Sequence, residues 1–217
     1  MNIVEHFLSL SGEAPIIGEP TYIYRFTGCN LNCTYCDTMN KNEINFLWTE
    51  EDLIYDIKKQ SKIYPSVNIL FTGGEPLLNE RKNCLLNIIK QLPEVKFYIE
   101  TNGSVLLEKT HHNCHFVCDY KSPSSGEMDS FNFLNIEILS SEKDCIKFVI
   151  TKNDLEWLKD KIYSIKKINS NLRLYVSPVY GQIELQILAA FILQNKLPVI
   201  MSIQLHKLIW PGVISGV

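Results

Sequence analysis

The 217-residue sequence has no long apolar run, no excess of basic charge and no regular set of paired cysteines. Each absence removes a class of protein. The longest apolar candidate, Ile183 to Leu193, is broken by Glu184 and Gln186. It falls short of the roughly 20 residues a membrane-spanning helix needs and reads as a buried helix. The opening Met1-Asn-Ile-Val-Glu-His has no basic region followed by an apolar one, which speaks against a secretory signal. A formal net charge of −3 provides no broad positive field for nucleic acid. Seven cysteines is an odd number, and three fall within eight residues, so the count points to a reducing cytoplasm rather than a disulfide framework. Cys84, Cys114, Cys118 and Cys145 read as small buried hydrophobes. The nearness of Cys114 and Cys118 to His111, His112 and His115 leaves a second metal site as the alternative. Repeats, linkers and low-complexity tracts are also missing. With 46% hydrophobic and 21% charged residues, positions 1–217 read as one globular domain.

What is present is an alternation of short apolar runs and longer helical patterns. Strands are expected at Tyr22–Phe26, Val67–Phe71, Lys96–Ile99, Phe116–Asp119, Ile146–Ile150, Leu172–Val176 and Val199–Ile203. Thr49-Glu-Glu-Asp52 has the form of a capping box before a helix through about Lys62. Leu78, Leu85, Ile89 and Leu92 mark a second helix, and Leu155, Leu158, Ile162 and Ile165 a third. Another is expected from Gln182. Such alternation implies a parallel α/β sheet. The units are too few for a complete eight-stranded barrel, which typically takes about 250 residues. A partial, open barrel is the natural fit. The polar and glycine-rich segments all follow strands: Thr27-Gly-Cys29, Thr72-Gly-Gly-Glu-Pro76, Glu100-Thr-Asn-Gly103, Lys121-Ser-Pro-Ser124, Ser177-Pro178 and Gln204-Leu-His206. Ligands bind at the carboxyl ends of parallel strands, so these segments should meet at one mouth.

Cys29-Asn-Leu-Asn-Cys33-Thr-Tyr-Cys36 is a CxxxCxxC run. Three thiolates do not close a structural zinc site, which takes four protein ligands. An iron–sulfur cube usually takes one cysteine per iron, so three leave one iron open for another ligand. A half zinc knuckle completed by a distant residue is the competing reading. The two glycines of Thr72-Gly-Gly-Glu-Pro76 would let backbone approach a ligand closely, and Glu75 offers a carboxylate to a cation.

These motifs together resemble the radical S-adenosylmethionine (SAM) superfamily, and within it the 7-carboxy-7-deazaguanine synthase family. The similarity runs nearly end to end. It takes in Ser9-Leu-Ser-Gly-Glu13, Gly18-Glu-Pro20, Arg25-Phe-Thr-Gly-Cys29-Asn-Leu, Cys36-Asp-Thr38, Lys121-Ser-Pro-Ser124 and Gln204-Leu-His-Lys207. Two positions depart from the family pattern. Ser11 stands where the family has a substrate-contacting glutamine, and Ala14 where it has a glycine. The resemblance implies a partial open (β/α)6 TIM-like barrel, a 4Fe-4S cluster on Cys29, Cys33 and Cys36, and SAM on the open iron. Reductive cleavage of SAM would give a 5′-deoxyadenosyl radical that abstracts hydrogen from C6 of 6-carboxy-5,6,7,8-tetrahydropterin. Ring contraction with loss of ammonia would then give 7-carboxy-7-deazaguanine, a 7-deazapurine and queuosine precursor, with SAM regenerated.

Residue roles follow from the same resemblance. Thr38 matches the family's magnesium ligand. Tyr35, Asp37, Gly74, Glu75, Ser122, Pro123, Ser124, Ser177 and Pro178 fall to SAM. Leu10, Ser11, Gly12, Glu13, Arg25, Thr72 and His206 fall to the pterin, with Arg25 able to fork onto its carboxylate. Glu13 would accept from the guanidine-like edge of the ring. A flavodoxin or ferredoxin reductant, a homodimer and a cytoplasmic location are implied too, with no nucleic acid and no membrane. Two alternatives share part of the pattern. A small radical SAM activase that makes a glycyl radical on a partner protein would keep the cysteines but not require Cys36-Asp-Thr38, Lys121-Ser-Pro-Ser124 and Gln204-Leu-His206 together. A zinc-stabilised binding module would be colourless. The tail, Trp210-Pro-Gly-Val213, has two readings, as a cover for the mouth or as a partner contact.

Overall fold

The structure is a computed structural model that describes residues 1–38, 42–213 and 215–217. The expected parallel alternation is present. Strand β1 (Asn2–Leu10) leads into β2 (Pro20–Phe26), and a short β3 (Phe46–Leu47) precedes helix α1 (Glu50–Ile63). The series then runs β4 (Asn68–Gly73), α2 (Arg81–Gln91), β5 (Phe97–Thr101), β6 (Cys114–Asp119), α3 (Asn135–Ile138) and β7 (Cys145–Ile150). It ends with α4 (Leu155–Ile168), β8 (Arg173–Pro178), α5 (Leu185–Gln194), β9 (Ile200–Met201) and α6 (Leu205–Ile209). Among the described residues these strands form one open nine-stranded sheet in the order β3-β1-β2-β4-β5-β6-β7-β8-β9. All neighbours from β2 to β9 pair in parallel, and β1 and β3 add antiparallel edge strands.

Sequence explains the helix starts well. Thr49 caps α1: its Oγ1 accepts from Asp52 N at 3.1 Å, and its own N–H donates to Asp52 Oδ2 at 2.9 Å. That reciprocal pair satisfies two of the helix's open donors. Leu53 and Ile57 then face the sheet, fully buried. Leu158, Ile162 and Ile165 do the same from α4, and Leu85, Ile88 and Ile89 from α2. The outer face of the sheet, with Tyr24, Phe26, Phe71, Phe97, Ile146 and Phe148, completes this main core.

The inner face has a second, smaller core. Ile23, Leu70, Tyr98, Val117, Cys145 and Tyr175 point inward from β2 and β4 to β8. The β1–β2 loop folds into the open barrel, and its Ala14 and Ile16 are buried against these side chains. One end of the barrel is thereby filled, and the mouth lies at the other.

Several expectations need correction. Strand β1 has no counterpart among the expected strands; between β2 and the short edge strand β3, it mixes polar and apolar residues without strict alternation. Leu78 precedes α2 rather than lying in it, and α5 starts at Leu185 instead of Gln182. The last strand is Ile200–Met201, shorter than Val199–Ile203. The segment Ile183 to Leu193 is not a buried helix: Leu188 and Ile192 are inward, but Leu193 is 76% exposed. Cys114, Cys118 and Cys145 are buried as expected. Their neighbourhood holds no second metal site. His115 stacks on Tyr98 at 4.7 Å, and no group of three His, Cys, Asp or Glu among the described residues is gathered to hold a metal.

Candidate active site

A cavity of about 310 Å³ opens at the carboxyl ends of the strands, within the range of small-molecule sites. Alternation along the strands builds it. Two residues beyond the apolar inner layer, each strand presents a polar side chain: Arg25 after Ile23, Thr72 after Leu70, Asp119 after Val117 and Lys147 after Cys145. Glu100 follows Tyr98 in the same way.

The cysteine loop forms one rim. Cys29, Cys33 and Cys36 all line the cavity, as do Tyr35, Asp37 and Thr38. Their sulfurs are not drawn together into a ligand set. Around Cys29 the surroundings nevertheless suit a thiolate: Leu31 N–H points at its Sγ at 3.4 Å, and the Asn102 amide at 3.8 Å. Hydrogen bonds to ligating sulfur are among the features that tune an iron–sulfur centre. Three sulfurs on one short loop, with N–H donors behind that of Cys29, fit a cluster with an open iron. The loop is braced by the segment after β6. Tyr35 hydroxyl lies 3.0 Å from Ser122 Oγ and donates to Val149 C=O at 2.9 Å. Thr34 N donates to Ser125 C=O at 3.0 Å.

Tight backbone packing fixes the loop against β4. A Cβ added at Gly74 would stand 2.0 Å from Gly28 C=O, and one at Gly73 2.2 Å from Phe26 C=O. The expected role of the two glycines is thus redirected: what their backbone approaches is the neighbouring strand end and cysteine loop. Gly73 also needs glycine for its φ of +124°. Glu75 is turned away from the cavity and fully buried. It accepts from Asn102 N at 2.7 Å, Thr101 Oγ1 at 2.8 Å and Leu77 N at 2.9 Å. Burial pushes its carboxyl up, and these three donors partly offset that. In this geometry Glu75 organises the turn after β5. Ser122, Pro123, Ser124, Ser177 and Pro178 also stand outside the lining. Ser122 Oγ donates to Asp154 Oδ2 at 3.0 Å, and Ser124 N–H donates to Asp154 Oδ1 at 2.9 Å.

The opposite rim carries the remaining expected residues. Leu10, Ser11, Gly12, Glu13, Arg25, Thr72 and His206 all line the cavity, with Gly74 beside them. Arg25 Nε donates to Glu5 Oε1 at 2.7 Å. Thr72 Oγ1 donates to Glu100 Oε2 at 3.0 Å. Ser11, shorter than the family's glutamine, turns its hydroxyl onto Glu13 C=O at 3.1 Å. His206 packs on Gly12 so closely that a Cβ there would meet its Nδ1 at 2.0 Å. Burial lowers the His206 pKa, with Glu13 acting against it.

The charged floor of the site escaped sequence reasoning. Lys147 is 5% exposed and forms an ion pair with Glu13. Lys121 pairs with Asp119 at 2.8 Å, and Gln204 Nε2 donates to Glu13 Oε1 at 2.6 Å. Burial alone would raise the Glu13 carboxyl; Lys147, Gln204 and His206 bring it down to about 2. A signal was available in Cys145-Ile-Lys147-Phe-Val-Ile150, where one lysine interrupts an otherwise apolar strand. The tail covers the mouth: Val213, Ser215 and Val217 join the lining, and Gly216 N donates to Glu5 Oε2 at 3.2 Å.

Comparison with known proteins agrees with this geometry. The radical SAM superfamily model matches residues 23–180. The chain belongs to that superfamily. It is 38% identical to the 7-carboxy-7-deazaguanine synthase of Clostridium acetobutylicum, over 96% of this chain and 95% of that one. The synthase of Chlorobaculum tepidum is 32% identical, over 100% and 97%. Within the superfamily the chain is therefore a member of the 7-carboxy-7-deazaguanine synthase family. The crystal structure of QueE from Escherichia coli superposes with a TM-score of 0.69 over 94% of this chain and 93% of that one. At 22% identity, that likeness speaks for the shared partial-barrel fold.

Proposed function

We propose that the protein is a radical SAM lyase that converts 6-carboxy-5,6,7,8-tetrahydropterin to 7-carboxy-7-deazaguanine with loss of ammonia. The observation that carries this reading is the double lining of one cavity. The cysteine loop forms one rim, and Arg25, Glu13, Thr72 and His206 form the other. When bound, the 4Fe-4S cluster and SAM supply the hydrogen-abstracting radical. The protein's own groups bind and orient the substrate and exclude water.

Arg25 offers a guanidinium for the pterin carboxylate. Glu13, ionised and fixed at both oxygens, accepts from the ring's donor-rich edge. Gly12 and His206 hold the ring from one side and the tail excludes water above it. Tyr35, Asp37 and Gly74 border the space for SAM, while Glu75, Ser122–Ser124 and Ser177-Pro178 support its walls from behind. Thr38 lines the cavity beside Cys36 and is the candidate for magnesium. A single hydroxyl suits magnesium, which keeps waters and relies on substrate oxygens.

Family likeness supports a flavodoxin or ferredoxin as electron donor, a homodimer and a cytoplasmic location. Among the described residues no helix is long and apolar enough to cross a membrane. The deciding experiment is an anaerobic assay with SAM, reductant, magnesium and the carboxy-tetrahydropterin. Formation of 7-carboxy-7-deazaguanine is expected. Protein with a full cluster that makes none would refute the substrate assignment, and a colourless zinc protein would refute the enzyme reading. Thr38→Ala is expected to lower turnover and magnesium dependence while the iron content stays unchanged.

A further inference from the structure

Lys147 is the one charged side chain in the β7 run Cys145–Ile150, and its ammonium is nearly sealed from solvent, with the side chain 7% exposed. Its surroundings are acidic on several sides. Glu13 comes from the β1–β2 loop and is in direct contact. Asp119 Oδ2, at the end of β6, is 4.0 Å away and is shared with Lys121. Glu100, at the end of β5, acts on Lys147 through space. Arg25 from β2, His206 from α6, Cys145 from β7 itself and Cys33 from the cysteine loop, which acts on Lys121, are the other charged and titratable groups facing this network. A lysine this deeply buried stays charged only where carboxylates surround it, and a carboxylate so placed keeps a fixed direction.

We propose that Lys147 is a positioning residue for the substrate, acting through Glu13: it clamps Oε2 of that carboxylate while Gln204 holds Oε1, so that one ionised acceptor faces the donor-rich edge of the bound ring. The geometry supports a division of labour. Both Glu13 oxygens have protein partners, so the carboxylate cannot swing. Lys147 lies two residues beyond Cys145, on the same polar level as Arg25, Thr72, Glu100 and Asp119, with its ammonium turned onto Glu13. Without the ammonium, Glu13, Glu100 and Asp119 would face one another with Lys121 as the only lysine among them within the described residues. Protonation or rotation of Glu13 would then relieve the repulsion, and either change removes the acceptor.

This inference rests on the reading of Glu13 as a substrate contact, and its test separates the two. The probe is the oxidised, unreactive 6-carboxypterin, bound to holoenzyme at equilibrium in wild type, Lys147→Met, Glu13→Gln and the double variant. Lys147→Met is expected to weaken binding about ten- to a hundredfold, with iron content and SAM binding unchanged. In the Glu13→Gln background the same substitution should cost less than threefold (an order-of-magnitude expectation for a residue acting through another). Full additivity overturns the proposal. A second readout needs no substrate: carboxyl 13C NMR, assigned with Glu13→Gln, should show Glu13 titrating at higher pH in Lys147→Met than in wild type. An unmoved Glu13 titration overturns the link between the two residues even if wild type fails to bind the pterin, an outcome that would itself refute the pterin reading. Should Lys147→Met be recovered unfolded, Lys147→Arg decides: it keeps the cation but displaces it, so the pterin affinity should fall while Glu13 stays ionised. Unchanged affinity in Lys147→Arg overturns the proposal.

Discussion

Two levels of the same inner barrel face, two residues apart along β2 and β4 to β7, differ in almost every property. The lower level is Ile23, Leu70, Tyr98, Val117, Cys145 and Tyr175, sealed by Ala14 and Ile16. The upper level is Arg25, Thr72, Glu100, Asp119 and Lys147. Nothing in the backbone distinguishes them, since both belong to the same parallel ladders. What separates them is what stands opposite. The lower side chains meet a plug of apolar loop and one another. The upper ones face an aqueous cavity and are matched in charge: Lys147 with Glu13, Lys121 with Asp119, Arg25 with Glu5. The barrel therefore divides stability from chemistry by one step of strand period.

The sharpest way to break this comparison is to move a cation down one level. Val117 is 1% exposed and stands next to the apolar plug. Val117→Lys would bury an ammonium among apolar side chains, with its register neighbour Glu100 already engaged by Thr72 and Lys147, an arrangement that costs about 3–5 kcal/mol. Urea denaturation followed by circular dichroism is expected to show that loss, or no folded protein at all. A fold that accepts this substitution as readily as it holds Lys147 would mean that the two levels do not differ in dielectric character.

A cavity in the lower level should come next in size. Tyr98 is 3% exposed and stacks on His115 from within the plug region. Tyr98→Ala is expected to cost about 3 kcal/mol, measured from the same denaturation curves. Iron per chain after anaerobic reconstitution should remain at the wild-type value, because the cysteine loop is held by Gly28, Gly74 and Ser125 rather than by the lower level. Concurrent loss of iron would show that the levels are coupled.

These levels also mark how far the sequence could be read. The cysteine run, the glycine-rich strand ends and most of the polar segments expected at one mouth are local signals with counterparts in the cavity lining, while Ser122–Ser124 and Ser177-Pro178 stand behind it. Lys147, Glu100 and Asp119 needed something more: knowing which side of each strand faces inward, which alternation supplies only after the strands are in register. Glu75 shows the opposite case. Its motif marks the right turn, but whether its carboxylate points into the cavity or back at Thr101 and Asn102 depends on the path of β5, a neighbour far off in sequence. Helix α5 was legible as a helix, yet its apolarity does not say which neighbour covers it, and Leu193 has none among the described residues that buries it.

A third test protonates the upper level without removing a side chain. Glu13 has its carboxyl held down to about 2, whereas an unfolded glutamate titrates near 4.5. A depressed carboxylate contributes stability that is present above the unfolded value and is lost as pH falls through the folded one. Stability should thus decline between about pH 4.5 and 2. By the same linkage the loss is on the order of 3 kcal/mol, comparable with that of Tyr98→Ala. Glu13→Gln should flatten the decline in an acid titration followed by circular dichroism. An unchanged slope would indicate that other carboxylates dominate acid unfolding.

The smallest effect is expected at the rim, where the upper level reaches solvent. Lys207 Nζ lies 2.8 Å from Asp37 Oδ2, joining α6 to the cysteine loop, but the Asp37 side chain is 58% exposed. Exposed pairs of this kind contribute at most about 1 kcal/mol and weaken with salt. Lys207 also sits 5.6 Å from the Tyr180 ring centre, so part of its anchorage does not depend on Asp37. Lys207→Ala should therefore lower stability by less than about 1 kcal/mol, with most of the difference gone at high salt. The useful contrast is with Lys147: both lysines bridge a carboxylate across the same mouth, and what sets their weights apart is water. If Lys207→Ala destabilised the protein by an amount that salt did not reduce, the rim bridge would have to be shielded from solvent. The C-terminal cover would then be a fixed wall of the site, in the same electrostatic regime as its floor.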